Sequence, residues 1–130
     1  MKKYLLLLYL PMLVLVIGCK KNITEVIVPN KIVMVTIAAE NWGTSDQKNW
    51  IADKNIPELT DKYVTKGATL VYRVISGQNN EQWPVNYEGL AYSYSTRSGK
   101  IVFNVTHADG QTAITRPAAM TFKVVLIEAE

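Results

Sequence analysis

"LAYSYSTRSGKIVFNVT", residues 90–106, decides the fold. Leu90, Tyr92 and Tyr94 alternate with Ala91, Ser93 and Ser95. After a polar break, Ile101, Phe103 and Val105 alternate with Val102, Asn104 and Thr106. A period of two sends successive side chains to opposite faces of a pleated strand. Arg97-Ser98-Gly99-Lys100 supplies the turn between the two runs. The stretch therefore reads as two antiparallel strands sharing one apolar face.

The pattern recurs on both sides. "MTFKVVLIE" (120–128) and "ATLVYRVIS" (68–76) are further strands; in the second, Leu70, Tyr72 and Val74 share a face while Arg73 points the other way. "WIADKNI" (50–56) is closed by Pro57. "QWPVNY" (82–87) is an edge strand, because Pro84 has no N–H for a sheet ladder. "EVIVPNKIVMVTIAA" (25–39) is a first strand broken at Pro29-Asn30. "ENWGTSDQKN" (40–49), "GQNNE" (77–81) and "HADGQTAITRP" (107–117) are loops. Only "TDKYVTKG" (60–67) reads as a helical turn, with Thr60 as N-cap and Gly67 as its stop. About seven strands with regularly spaced turns predict an all-β chain: a single antiparallel β-sandwich, with an immunoglobulin-like strand order as the default. Leu70, Tyr72, Tyr92, Phe103, Phe122 and Leu126 are the expected core, and Arg73, Asn104 and Lys123 should face outward.

The chain's beginning has another character. Met1-Lys2-Lys3 precedes an apolar run, Tyr4 to Ile17, interrupted only by Pro11. A membrane-spanning helix needs about 20 residues, so this shorter run reads as a secretory signal. It ends in Val16-Ile17-Gly18-Cys19, and Cys19 is the only cysteine of the chain. That resembles a bacterial lipobox. The thiol takes a diacylglyceryl group as a thioether, and the small Gly18 lets a peptidase reach the bond before Cys19. Acyl chains there anchor firmly, at about 0.8 kcal/mol per buried CH₂. The expected organisation is a lipoprotein signal peptide at 1–18, then the lipidated cysteine, tether and start of the first strand at 19–30. The sandwich follows at 31–130. Lys20 is not the aspartate associated with inner-membrane retention, so the bacterial outer membrane is the expected location.

Charge and chemistry narrow the function. The formal net charge of +3 includes Lys2 and Lys3; without them, twelve Lys and Arg face eleven Asp and Glu. A near-neutral domain argues against nucleic acid. His107, the single histidine, has Asp109 nearby, but a zinc site needs three or four ligands. There is no G-x-S-x-G nucleophile motif and no visible carboxylate pair for glycoside hydrolysis. Neither catalysis, cofactor nor metal is expected. Trp42, Trp50, Trp83 and Tyr87 sit beside turns or edges, where they could form a sugar-stacking platform or, as the weightier reading, plug the ends of the core. If strands alternate up and down, loops 41–48, 77–81 and 96–100 share one end. Trp42, Asn79, Asn80 and Arg97 would then be the ligand-contacting residues. Lys62, Lys66, His107 and Arg116 would lie at the opposite end, toward the membrane.

"IPELT" (56–60), "KGATLVYRV" (66–74), "QWPVNY", "YSYS", "GKIVFNV" (99–105) and "MTFKVVLI" (120–127) together resemble a group of small bacterial β-sandwich lipoproteins of uncharacterised function. The resemblance runs over roughly residues 34 to 127. The family pattern has a Leu-Pro-Tyr-like run after the tryptophan, where this chain has Val85-Asn86-Tyr87. The resemblance implies a sandwich on a lipid anchor and brings no catalytic residue. The expected function is a lipid-anchored binding or structural module of the cell envelope that contacts another envelope protein. The alternatives are a carbohydrate-binding accessory lipoprotein and a fimbrial-type subunit that pairs through its final strand.

Overall fold

The structure, a computed structural model, describes residues 30–129. The expected signal peptide at 1–18, with Gly18, and the expected lipidated cysteine and tether, Cys19 and residues 20–29, lie outside that range. Eight strands follow in chain order: β1 (Lys31–Ile37), β2 (Asn49–Asn55), β3 (Ala68–Ser76), β4 (Asn79–Trp83), β5 (Val85–Tyr87), β6 (Leu90–Arg97), β7 (Lys100–His107) and β8 (Met120–Ile127). A short 3₁₀ turn, Ala39–Asn41, and one helix, α1 (Asp61–Thr65), interrupt them. The strands form two four-stranded sheets, ordered β1-β8-β3-β4 and β2-β7-β6-β5. All pairings are antiparallel. The chain is thus the all-β antiparallel sandwich expected, with eight strands instead of seven.

The connectivity departs from the immunoglobulin-like default, in which the first two strands lie side by side in one sheet. Here β1 and β2 belong to different sheets, β1 pairing with β8 and β2 with β7. The connection 38–48 carries the chain over the rim of the sandwich instead of back along β1. It is pinned by the buried Trp42 and by two backbone bonds between Gly43 and Ile51, of 2.9 and 2.8 Å.

The extra strand arises within "QWPVNY". β4 runs antiparallel to β3 as far as Trp83; after Pro84 the chain joins the other sheet and runs antiparallel to β6 as β5. Both pieces are edge strands, as the proline predicts. The chain reverses at the crossing, and that reversal changes which end every later loop occupies. Loops 38–48, 77–78, 88–89 and 108–119 gather at one end, here the distal end; Ala108 N–H donates to Gly89 O at 2.7 Å. The opposite, N-terminal end holds the start of β1, the 56–67 connection and the 98–99 turn. Ile56 N–H donates to Gly99 O at 2.8 Å, and Gly99 N–H to Leu59 O at 2.6 Å.

Trp83 lies at the crossing, in the middle of the core. Its ring centroid is 4.8 Å from Phe122, 5.1 Å from Tyr92 and 6.2 Å from Phe103. Phe103 and Phe122 stack across the sheets at 4.3 Å and 16°. Aromatic pairs of this kind contribute about 0.5–1.5 kcal/mol each beyond the area they bury. Phe103, Phe122, Leu126 and Tyr92 are buried as expected.

β3 has the opposite phase to the expected one. Val71 is fully buried, whereas Leu70, Tyr72 and Val74 lie half-buried on the outer face. The cause is β8. Its alternation of Phe122, Val124 and Leu126 points inward, and β3 pairs Val71 with Val124 and Tyr72 with Lys123. Arg73 therefore turns inward, at the distal mouth, where its guanidinium lies 3.9 Å from Glu81 and 5.9 Å from the Tyr92 ring centroid. Lys123 is on the outer face, 4.9 Å over the ring of Tyr72. Helix α1 falls where the sequence placed it. Thr60 starts it with its carbonyl, accepting from Tyr63 N–H at 3.0 Å, and its side chain makes no capping bond.

Candidate functional site

At the distal end the two sheets part and leave a cleft. β3 contributes Arg73, β6 Leu90 and Tyr92, β7 Val105 and β8 Met120. The outer wall is the irregular segment before β8, from Ile114 to Ala118, with Glu88 on the rim. The volume is about 580 Å³, within the range of small-ligand sites. Val105, Tyr92 and Met120 are buried and make an apolar floor.

The wall is held at both of Ile114's backbone groups. Its N–H donates to Gln47 O at 2.8 Å, and its carbonyl accepts the Trp50 indole N–H at 3.1 Å. The Arg116 guanidinium lies 5.4 Å over the Trp50 ring, a cation–π contact that keeps it at the cleft's edge. A shallower depression of about 360 Å³, lined by Gln47, Trp50 and Ala113 to Arg116, lies on the wall's other side.

The turn that launches the wall is organised by Asp109. One carboxylate oxygen accepts from Gln111 N–H at 2.8 Å and Thr112 N–H at 2.9 Å, and the other from the Thr112 hydroxyl at 2.6 Å. The Thr112 hydroxyl, then the two backbone donors, hold this carboxyl well below the usual carboxylate range. A lowered folded-state pKa contributes stability that is present above the unfolded value near 4 and is lost as pH falls through the folded value. The turn should therefore persist through mild acid and loosen only in strong acid. Asp109→Ala should speed hydrogen exchange at Gln111, Thr112 and Ile114 while leaving the strand amides unchanged. Equal exchange in variant and parent would refute this role.

Two guanidiniums, one rim carboxylate and an aromatic hydroxyl surround an apolar floor. Burial raises the pKa of Tyr92, with Arg73 opposing, so the phenol stays a hydrogen-bonding O–H at neutral pH. The arrangement suits a group that combines an apolar body with a carboxylate or a row of carbonyls, to which guanidinium donors are matched. Among the described residues, no group of three or more His, Cys, Asp or Glu side chains is placed to hold a metal ion.

The residues expected to form a ligand site do not come together. Trp42 is 1% exposed, packed into the core, and its ring meets no solvent. Asn79 and Asn80 are exposed at the distal start of β4, but Arg97 ends β6 at the N-terminal end. Trp50 and Trp83 are buried as well, so the tryptophans plug the core. Tyr87 alone of that aromatic set is exposed. His107 and Arg116 lie at the distal end and Lys62 and Lys66 at the N-terminal end, separated by the reversal at Pro84. What sequence reasoning missed is Arg73, Tyr92, Ile114 and Arg116 as neighbours. An arginine set within a strand of apolar residues was the available signal.

Compared with protein-family models, curated proteins and solved structures, the chain finds no match in any of the three.

Proposed function

We propose that this chain is a lipid-anchored module of the cell envelope, held at the bacterial outer membrane by acyl chains on Cys19. It binds another envelope protein and carries out no catalysis. The observation that supports the binding reading is the distal cleft, with Arg73 and Arg116 flanking an apolar floor. It opens at the end of the sandwich opposite the start of β1. Residues 20–30, if extended, reach about 36 Å at 3.3 Å per residue, which leaves the cleft free to meet a partner. An extended peptide segment bearing an apolar side chain and a nearby carboxylate fits this chemistry.

Two observations rank the alternatives lower. A carbohydrate platform lacks its rings, since Trp42, Trp50 and Trp83 are buried. Fimbrial pairing through the final strand lacks an edge, since β8 lies between β1 and β3.

The anchor and the cleft are tested separately. Cys19→Ser should move the protein from the detergent phase to the aqueous phase and abolish fatty-acid labelling; a variant that still labels and still partitions would sink the anchor. Arg116→Glu should lose the envelope protein cross-linked to the wild type, whereas Arg97→Glu, at the other end, should keep it. Retention by Arg116→Glu would move the binding surface away from the cleft.

A further inference from the structure

A sandwich of two four-stranded sheets has four edge strands, here β1, β4, β2 and β5. Edge strands offer unpaired backbone groups, and proteins blunt them with cover, bulges, charge, proline or shortness. β2 is covered where Gly43 bonds both backbone groups of Ile51. β4 pairs with β3 across a register break between Val74 and Ser76, carries the part-buried Glu81, and ends at Pro84. β5 is three residues long.

Among the described residues, β1 has neither cover, bulge nor proline. Its seven residues, KIVMVTI, pair with β8 in unbroken register from Lys31↔Leu126 to Ile37↔Met120. No strand among the described residues pairs with its other side. Its single charge is Lys31, at the first position. Ile32 and Met34 are 63% and 58% exposed, the two most exposed large hydrophobic residues described. They continue an outer face that runs through Val125 and Leu70 in one row and through Lys123 and Tyr72 in the next. That face carries no carboxylate, and Lys123 is its only charge.

The geometry points to β1 as a pairing strand for β1 of a second copy of this chain, antiparallel about a two-fold axis through Met34. The strand is self-complementary in that register. Met34 meets its own mate, Val33 meets Val35, Ile32 meets Thr36, and Lys31 meets Ile37. The two lysines lie at opposite ends of the seam, so no like charges face each other, which is what an isologous contact requires. Side chains keep their faces: Val33 and Val35 stay inward, and Ile32 and Met34 are partly covered by cross-strand neighbours. The two β1-β8-β3-β4 sheets become one eight-stranded sheet with a continuous outer face. The inference is independent of whether Cys19 is acylated.

The test uses the full chain, in its native envelope and after purification. Met34 is exposed, so its replacement leaves the fold intact. In a purified Cys19→Ser background, which leaves no other thiol, Met34→Cys should give a cross-linked dimer with a short bifunctional thiol-reactive reagent, where the Cys19→Ser parent and Ser95→Cys, on the other sheet, give none. Cysteines facing each other across antiparallel strands have Cβ atoms about 5 Å apart, well within such a reagent's reach. In light scattering the wild type should have twice the monomer mass, and Met34→Lys, which sets two ammonium groups face to face, should be monomeric. A monomeric wild type at all concentrations would overturn the inference. So would a Met34→Cys cross-link only to a different protein, or β1 protection that vanishes when residues 20–29 are replaced by a Gly-Ser stretch in a monomer.

Discussion

Phe103→Ala should cost about 3–5 kcal/mol of stability, the range for truncating a buried phenylalanine. The ring is fully buried, stacked on Phe122 at 4.3 Å and set against the edge of Trp83. Both partners belong to the opposite sheet, so the ring is a contact between the sheets. Strands β2 and β6 flank β7 on either side, so the backbone around the cavity has little freedom to close it. A domain of this size is stable by about 5–15 kcal/mol, which makes the expected loss a large fraction of the whole. The check is the urea midpoint, with an unchanged slope showing that the same transition is being observed. A loss under about 1 kcal/mol would mean that the two sheets do not meet through this ring.

Gly67→Ala should cost about 1–3 kcal/mol, and the reason is room alone. Gly67 follows α1 and precedes β3. A Cβ there would collide with the carbonyl oxygen of Ile127 and crowd the Tyr63 backbone, whose Cα would lie 3.1 Å away. Both obstacles are main chain, so neither can swing aside as a side chain would. The new methyl must push the end of β8 or the helix outward, and Tyr63, 3% exposed beneath that helix, would lose its packing. Gly110 provides the contrast: it has a φ of +69° and open space around its Cβ direction, so alanine there meets strain without collision. Thermal unfolding of both variants separates the two causes. A Gly67→Ala protein that melts with the wild type would show that the helix end yields freely.

The alternation at 90–106 was legible because each strand there has one polar and one apolar face. Tyr92, Phe103 and Val105 point inward as their spacing predicts. β3 was not legible in the same way. Leu70, Tyr72 and Val74 on one side and Val71 on the other are all apolar, so a period of two exists without a preferred phase. Only the pairing with β8 chooses, and that partner lies some fifty residues away in sequence. Trp42 misled for another reason: a tryptophan amid polar loop residues looks exposed, yet the loop folds its ring under itself. The cleft was hidden by a single proline. "QWPVNY" reads as one strand, and a chain that reverses at Pro84 sends three later loops to the end opposite the one counted.

The pairing of β1 with β8 also governs when this protein folds. Lys31 finds Leu126, and Asn49 finds Thr106, so one outer strand of each sheet pairs with a strand distant in sequence. Such nonlocal topologies fold in milliseconds to seconds, slower than helical domains of similar size. Until residues 120–127 have been synthesised, β1 has no sheet to join and β3 lacks its central neighbour. In a growing chain the β2-β7-β6-β5 sheet needs only residues 49–107, whereas the β1-β8-β3-β4 sheet waits for residues 120–127. One sheet can thus be complete while the other still lacks its central strand, and the core between them closes only when β8 arrives.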